Sequence, residues 1–153
     1  MKTKTDPRHC ARKIALQTLF EWSMHSIDPH QIAERIIKDS DNEIHLDYKL
    51  LSNLIDSVIA HRKELDDRIA IAAPQWPLTQ ISKVDLTILR MASAELQFLP
   101  DVPEKVSIDE AVELAKEFSN DTSGKFINGV LGTVLKNIKN NQGGQTTEVP
   151  SNA

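Results

Sequence analysis

PEKVSIDEAVELAKEFSNDTSGKFINGVLGTVLK, from Pro103 to Lys136, is the stretch that decides the fold. It reads as two helices joined by a polar loop. Ser107 followed three residues on by Glu110 has the form of a capping box, which predicts a helix start at that serine. Ile108, Ala111, Val112, Ala115 and Phe118 then recur at helical spacing. Ser119 to Gly124 is rich in turn residues and is expected to be the loop. A second helix is expected from about Lys125. Phe126, Ile127, Val130, Leu131, Val134 and Leu135 make it more apolar than a half-exposed helix needs, so it is expected at the centre of the fold. Gly129 and Gly132 inside it each disfavour helix by about 1 kcal/mol relative to Ala. Their presence predicts another helix crossing there at close range. Asn128, on so apolar a helix, is expected to be buried and bonded to backbone.

Outward from this stretch the same rules give more helices. Pro100 and Pro103 end a helix over Ile81 to Leu99, whose regular part starts near Lys83 with Ser82 and Asp85 favouring its N-terminus. Arg90 and Glu95 fall on its apolar sides and need partners, because charges are seldom buried unpaired. Pro74 and Pro77 flank Trp76 and separate two halves of the chain. Leu46 to Ala73 holds neither Pro nor Gly and keeps one helical stripe, compatible with a single long helix. Asp6-Pro7 and Asp28-Pro29 each punctuate a helix start. The first helix runs from about Arg8 to Met24. Ala11, Ile14, Ala15, Thr18, Leu19 and Trp22 share its inner side, while Arg8, His9, Arg12 and Lys13 are read as its outer side.

Few aromatics and short β-branched runs favour an all-α chain. About seven helices are expected, in one domain over 8–139 with two packed subdomains at about 8–74 and 76–139. Residues 1–7 are expected to be a mobile arm and 140–153 a disordered tail. The net charge of −4 means that any nucleic-acid site is a local patch. Cys10 is the one cysteine, which excludes an internal disulfide and suits a reducing cytoplasm. No apolar run is long enough to span a bilayer, and the N-terminus has no signal-peptide character. No membrane partner is therefore expected.

Catalytic signatures are missing. There is no P-loop, dinucleotide fingerprint, zinc-protease helix or nucleophile elbow, and the five histidines have no metal spacing. Neither enzyme activity nor a cofactor or metal is expected. The charge pattern above background is at the start, where Lys2, Lys4, Arg8, Arg12 and Lys13 face Asp6 alone. By composition this is either a solubilising terminus or a phosphate-binding patch. In the second case Arg8, Arg12 and Lys13 would track a backbone without reading bases, with Lys2 and Lys4 as a mobile supplement. Lys125 is open to the same two readings.

KFINGVL preceded by IDEAVELAKEFS resembles the NusB family of bacterial transcription antitermination factors. Ala11-Arg12 with Ala15 to Phe20 is similar to the family's first helix. Trp76-Pro77-Leu78 with Val84 to Ala92 is similar to its central segment. The resemblance implies that Leu46 to Ala73 is two helices divided near His61 to Glu64. It also implies binding of boxA-like single-stranded RNA together with the ribosomal small-subunit protein NusE, within the RNA polymerase antitermination complex. It favours the phosphate-binding reading of Arg8, Arg12, Lys13 and, with them, Lys125. It places NusE near Trp76 and Asp85, the latter an acid at a helix start suited to a basic partner. Where the family often carries a dense arginine run, this chain has Arg8-His9-Cys10, so weak RNA binding by the chain alone is expected. The remaining alternatives are a helical protein-interaction module without RNA, or an RNA-binding domain like those fused to some RNA methyltransferases. The oligomeric state is left between monomer and homodimer.

Overall fold

Five helices begin on a short polar side chain that accepts a backbone N–H, the fifth being the last in the chain. Asp6 accepts from Arg8 N at 2.9 Å, Asp28 from His30 N at 3.1 Å, Asp47 from Leu50 N at 2.9 Å and Ser82 from Asp85 N at 3.1 Å. Proline follows Asp6 and Asp28, where its missing N–H costs nothing. The computed structural model describes residues 6–40 and 45–142. The described residues form α1 Pro7–Met24, α2 Pro29–Asp39, α3 Tyr48–Ala60, α4 Arg62–Ala72, a 3-10 turn Leu78–Gln80, α5 Lys83–Phe98, α6 Glu104–Phe118 and α7 Asp121–Gln142, with no strand among them.

α3 and α4 are separate helices, and the break falls on His61, whose ring stacks on Phe98 with centroids 3.9 Å apart. Their shared apolar stripe survives the break because Leu54, Val58, Leu65 and Ile69 all enter the core. One apolar cluster runs through both halves of the chain, from Leu19 and Leu54 to Leu114 and Leu131.

Three details of the opening stretch differ from expectation. α6 starts at Glu104 behind Pro103, one turn before Ser107, and has no side-chain cap. Ser107 and Glu110 are buried in its body, each with a distant partner, so they only resemble a capping box. α7 starts at Asp121, four residues before Lys125, because Asn120 accepts the Ser123 N–H at 2.8 Å and opens the helix. It continues through Gln142, beyond the expected domain end at 139. Residues 1–5 and 143–153, which include Lys2 and Lys4 and most of the expected tail, lie outside the described residues.

The central helix is α5, not α7. α5 packs against α1, α3, α4, α6 and α7, and every residue from Thr87 to Glu95 is buried. α7 buries Ile127, Val130, Leu131, Val134 and Ile138 but leaves Asn128, Gly129 and Gly132 exposed. A β-carbon at Gly129 or Gly132 would meet nothing within 4 Å, so no helix crosses there. The close approach is instead at Gly124, where a β-carbon would lie 3.1 Å from the Lys116 side chain and 3.5 Å from Val112. That glycine lets the start of α7 lie against α6.

Candidate functional site

α1 delivers its basic residues to two different environments. Arg12 shares a face with Ala15, Leu16 and Leu19, the i, i+3, i+4 and i+7 positions of a buried stripe. Its guanidinium is therefore carried inward and is 1% exposed. Glu95 of α5 meets it with both oxygens, at 3.0 Å to Nε and 2.8 Å to Nη2. Ser107 Oγ of α6 donates to the same carboxylate at 2.9 Å, and Glu110 lies 3.9 Å from Arg12 Nη1. Burial pushes the Arg12 pKa down. The Glu95 hydrogen bond and the charges of Glu95, Glu110 and Asp6 outweigh it and hold the pKa above the ordinary arginine value. Arg12 thus belongs to the interior and not to the outer side of α1, where the sequence pattern placed it. It ties α1 to α5 and offers no surface to a phosphate.

His9 carries this polar knot to the surface. Its Nδ1 lies 3.2 Å from Glu110 and its Nε2 lies 3.7 Å from Glu117. Lys13 is at the rim, with Nζ 2.9 Å from Glu117 and 5.9 Å from the centre of the Phe118 ring. Arg8 is the most open of the described α1 cations at 70% side-chain exposure, with Nε 3.9 Å from Asp47. Lys125 is exposed in the first turns of α7, just beyond the α6 end that holds Lys13. Arg8, Lys13 and Lys125 are thus on the surface, while Arg12 is withdrawn. Asn128, expected inside, lines an open cleft with His9, Asp109, Glu113, Lys116 and Glu117. It faces outward because the α7 positions that meet α6 and α5 are Ile127, Val130, Leu131 and Val134.

The second pair of site residues comes together beside the turn between α6 and α7. Trp76 is 50% exposed and sets its ring edge-on to Phe126, with centroids 6.1 Å apart. These rings and Asp85 line a depression of about 210 Å³ with Gln80, Ile81, Ser82, Thr122 and Ser123. Asp85 is buried, contrary to the exposed acid that the sequence pattern implied. One of its oxygens accepts from Ser123 Oγ at 3.1 Å, and Oδ1 is buried with no hydrogen-bond partner. Phe126 was the missed member. Its place in KFINGVL is a signal that could have found it, but only the packing of α7 against the segment between α4 and the 3-10 turn shows that it backs Trp76.

These features define an all-helical binding protein. It offers a cationic rim on one helix and an aromatic depression between others, and among the described residues no three His, Cys, Asp or Glu are grouped to hold a metal. No helix among them is long and apolar enough to cross a membrane. The chain belongs to the NusB family, whose pattern it matches over residues 9–136. It is 41% identical over 135 residues to a transcription antitermination protein NusB of Lactiplantibacillus plantarum, covering 87% of this chain and 97% of that one. The solved structure of T. maritima NusB is 34% identical and superposes with a TM-score of 0.73, covering 89% of this chain and 93% of that one. A crystal structure of antitermination factors NusB and NusE in complex with dsRNA superposes with a TM-score of 0.74 at 26% identity, covering 85% of this chain and 96% of its counterpart.

Proposed function

We propose that this chain is a cytoplasmic transcription antitermination factor. It binds boxA-like single-stranded RNA together with NusE and promotes read-through in ribosomal RNA synthesis. It acts by assembly and makes or breaks no covalent bond. The observation that carries this reading is the depression in which half-exposed Trp76 and Phe126 meet beside Asp85. A half-exposed tryptophan in an aromatic depression suits a partner protein that brings an apolar side chain. RNA is assigned to the rim of Arg8, Lys13 and Lys125, supplemented by Lys2 and Lys4, with Arg12 supporting from inside.

The test is a titration with NusE and with RNA. Trp76→Ala is expected to weaken NusE binding by about 1–2 kcal/mol in calorimetry, because a large ring is lost from a contact centre. Asp85→Lys is a poorer test, since Asp85 is buried and bonded to Ser123. Replacing Arg8 and Lys13 together by Ala is expected to flatten the dependence of log K on log salt by roughly 1.4, at about 0.7 per phosphate contact on a single strand. Unchanged NusE affinity in the first variant, or an unchanged salt slope in the second, would remove the corresponding surface. One observation favours a protein-interaction module without RNA: Arg8 and Lys13 both already face a carboxylate. Wild-type protein that binds NusE but shows no salt-dependent RNA binding would establish that alternative.

A further inference from the structure

The acids that face the α1 cations come from other helices and sit at the surface with them. Asp47 precedes α3 and is 32% exposed; Glu117 closes α6 and is 42% exposed. Neither is needed to neutralise a buried charge, unlike Glu95 opposite Arg12. Asp47 has a separate task, since Oδ1 accepts from Leu50 N while Oδ2 is the oxygen that faces Arg8. Glu117 spends one oxygen on Lys13 and the other on His9. From the RNA-binding reading of this rim, we infer that Asp47 and Glu117 are built-in competitors for the RNA phosphates and set the affinity of the site. A phosphate at Lys13 competes with Glu117 for the ammonium, and one at Arg8 competes with the more distant charge of Asp47. The carboxylates hold the site partly neutralised until a strand of higher charge density arrives.

Two features make this a specific claim and not a restatement of net charge. The competition is pairwise, so it vanishes when the cation is removed. It is also local, so an equally exposed carboxylate nearby does not reproduce it. Glu113 provides that comparison. It lies one turn before Glu117 on α6, is exposed, and lines the same cleft. Because exposed pairs are screened by salt, the masking fades as ionic strength rises.

The experiment measures fluorescence anisotropy of a labelled boxA-like RNA oligonucleotide with the full chain and NusE, at low and at high salt. Glu117→Gln and Asp47→Asn keep size and hydrogen bonding, and the asparagine retains the helix cap. Each is expected to tighten RNA binding roughly 1.4- to 5-fold at low salt, the range set by one exposed ion pair. The gain should shrink toward unity at high salt. In a Lys13→Ala background Glu117→Gln should give no gain, as a double-mutant cycle requires. Glu113→Gln should give a smaller gain than Glu117→Gln. Equal gains from Glu113→Gln and Glu117→Gln, or a gain that survives Lys13→Ala, would overturn the inference in favour of a net-charge effect. Wild-type binding with unaltered affinity in both carboxamide variants would overturn the masking alone. RNA binding by none of the proteins would overturn the RNA-binding reading itself.

Discussion

The interior knot around Glu95 and the rim around Glu117 are built from the same chemical groups, largely on the same two helices, α1 and α6. In the knot a guanidinium and a carboxylate meet at 2.8 and 3.0 Å with both side chains 2% exposed. At the rim an ammonium and a carboxylate meet at 2.9 Å with side chains 36% and 42% exposed. The distances hardly differ; the surroundings do. Inside, neither charge can turn to water, so each is committed to the other. Outside, water and salt compete, and the pair is held by a fraction of a kcal/mol. Adjacent residues Arg12 and Lys13 thus take opposite parts. One fixes where α1 lies, and the other is left exchangeable.

The largest expected effect tests the knot. Arg12→Ala should lower stability in urea unfolding by about 3–5 kcal/mol, because it strands Glu95 without its counter-charge. A loss below about 1 kcal/mol would mean that water reaches Glu95 and that knot and rim do not differ. Replacing both partners, as Arg12→Met with Glu95→Leu, should recover most of that loss, since no buried charge is then left alone. Next comes Ser107→Ala, which removes one donor to Glu95 and should cost about 1.5–3 kcal/mol, the range for a hydrogen bond to a charged group. The smallest effect belongs to the rim. Lys13→Ala should change stability by less than about 0.5 kcal/mol, as surface substitutions usually do. A larger loss in the same unfolding assay would place Lys13 with Arg12 as a structural residue.

The division between knot and rim was only partly legible in the sequence. Helix starts at Asp6-Pro7, Asp28-Pro29 and Ser82 were, because a cap and its N–H lie within three residues of each other. The need for partners at Arg90 and Glu95 was also legible, and the structure supplies Asp66 to the first at 2.7 Å and Arg12 to the second. The identity of those partners was not, because Arg12 and Glu95 are 83 positions apart. The same distance effect disguised Ser107 and Glu110 as a local cap when each is bonded across the core. Asn120-Asp121-Thr122-Ser123 read as loop on composition, although Asn, Asp and Ser are also the residues that start helices. Trp76 and Asp85 were legible as neighbours of one helix start. Phe126 joins them only through the packing of α7 against the segment that links α4 to α5.

The open outer face of α7 has a practical consequence. A β-carbon added at Gly132 meets no neighbour within 4 Å and the position is exposed, so a reporter group can start there without repacking the core. The chain's single native thiol, Cys10, is half-buried. A Gly132→Cys variant therefore carries its more accessible sulfur on α7, and it removes part of the penalty of about 0.5–1 kcal/mol that glycine carries relative to alanine inside a helix. Labelled with a fluorophore, that position becomes a fixed viewpoint on the helix that also bears Lys125 and Phe126, from which the arrival of either partner is read as a change in distance.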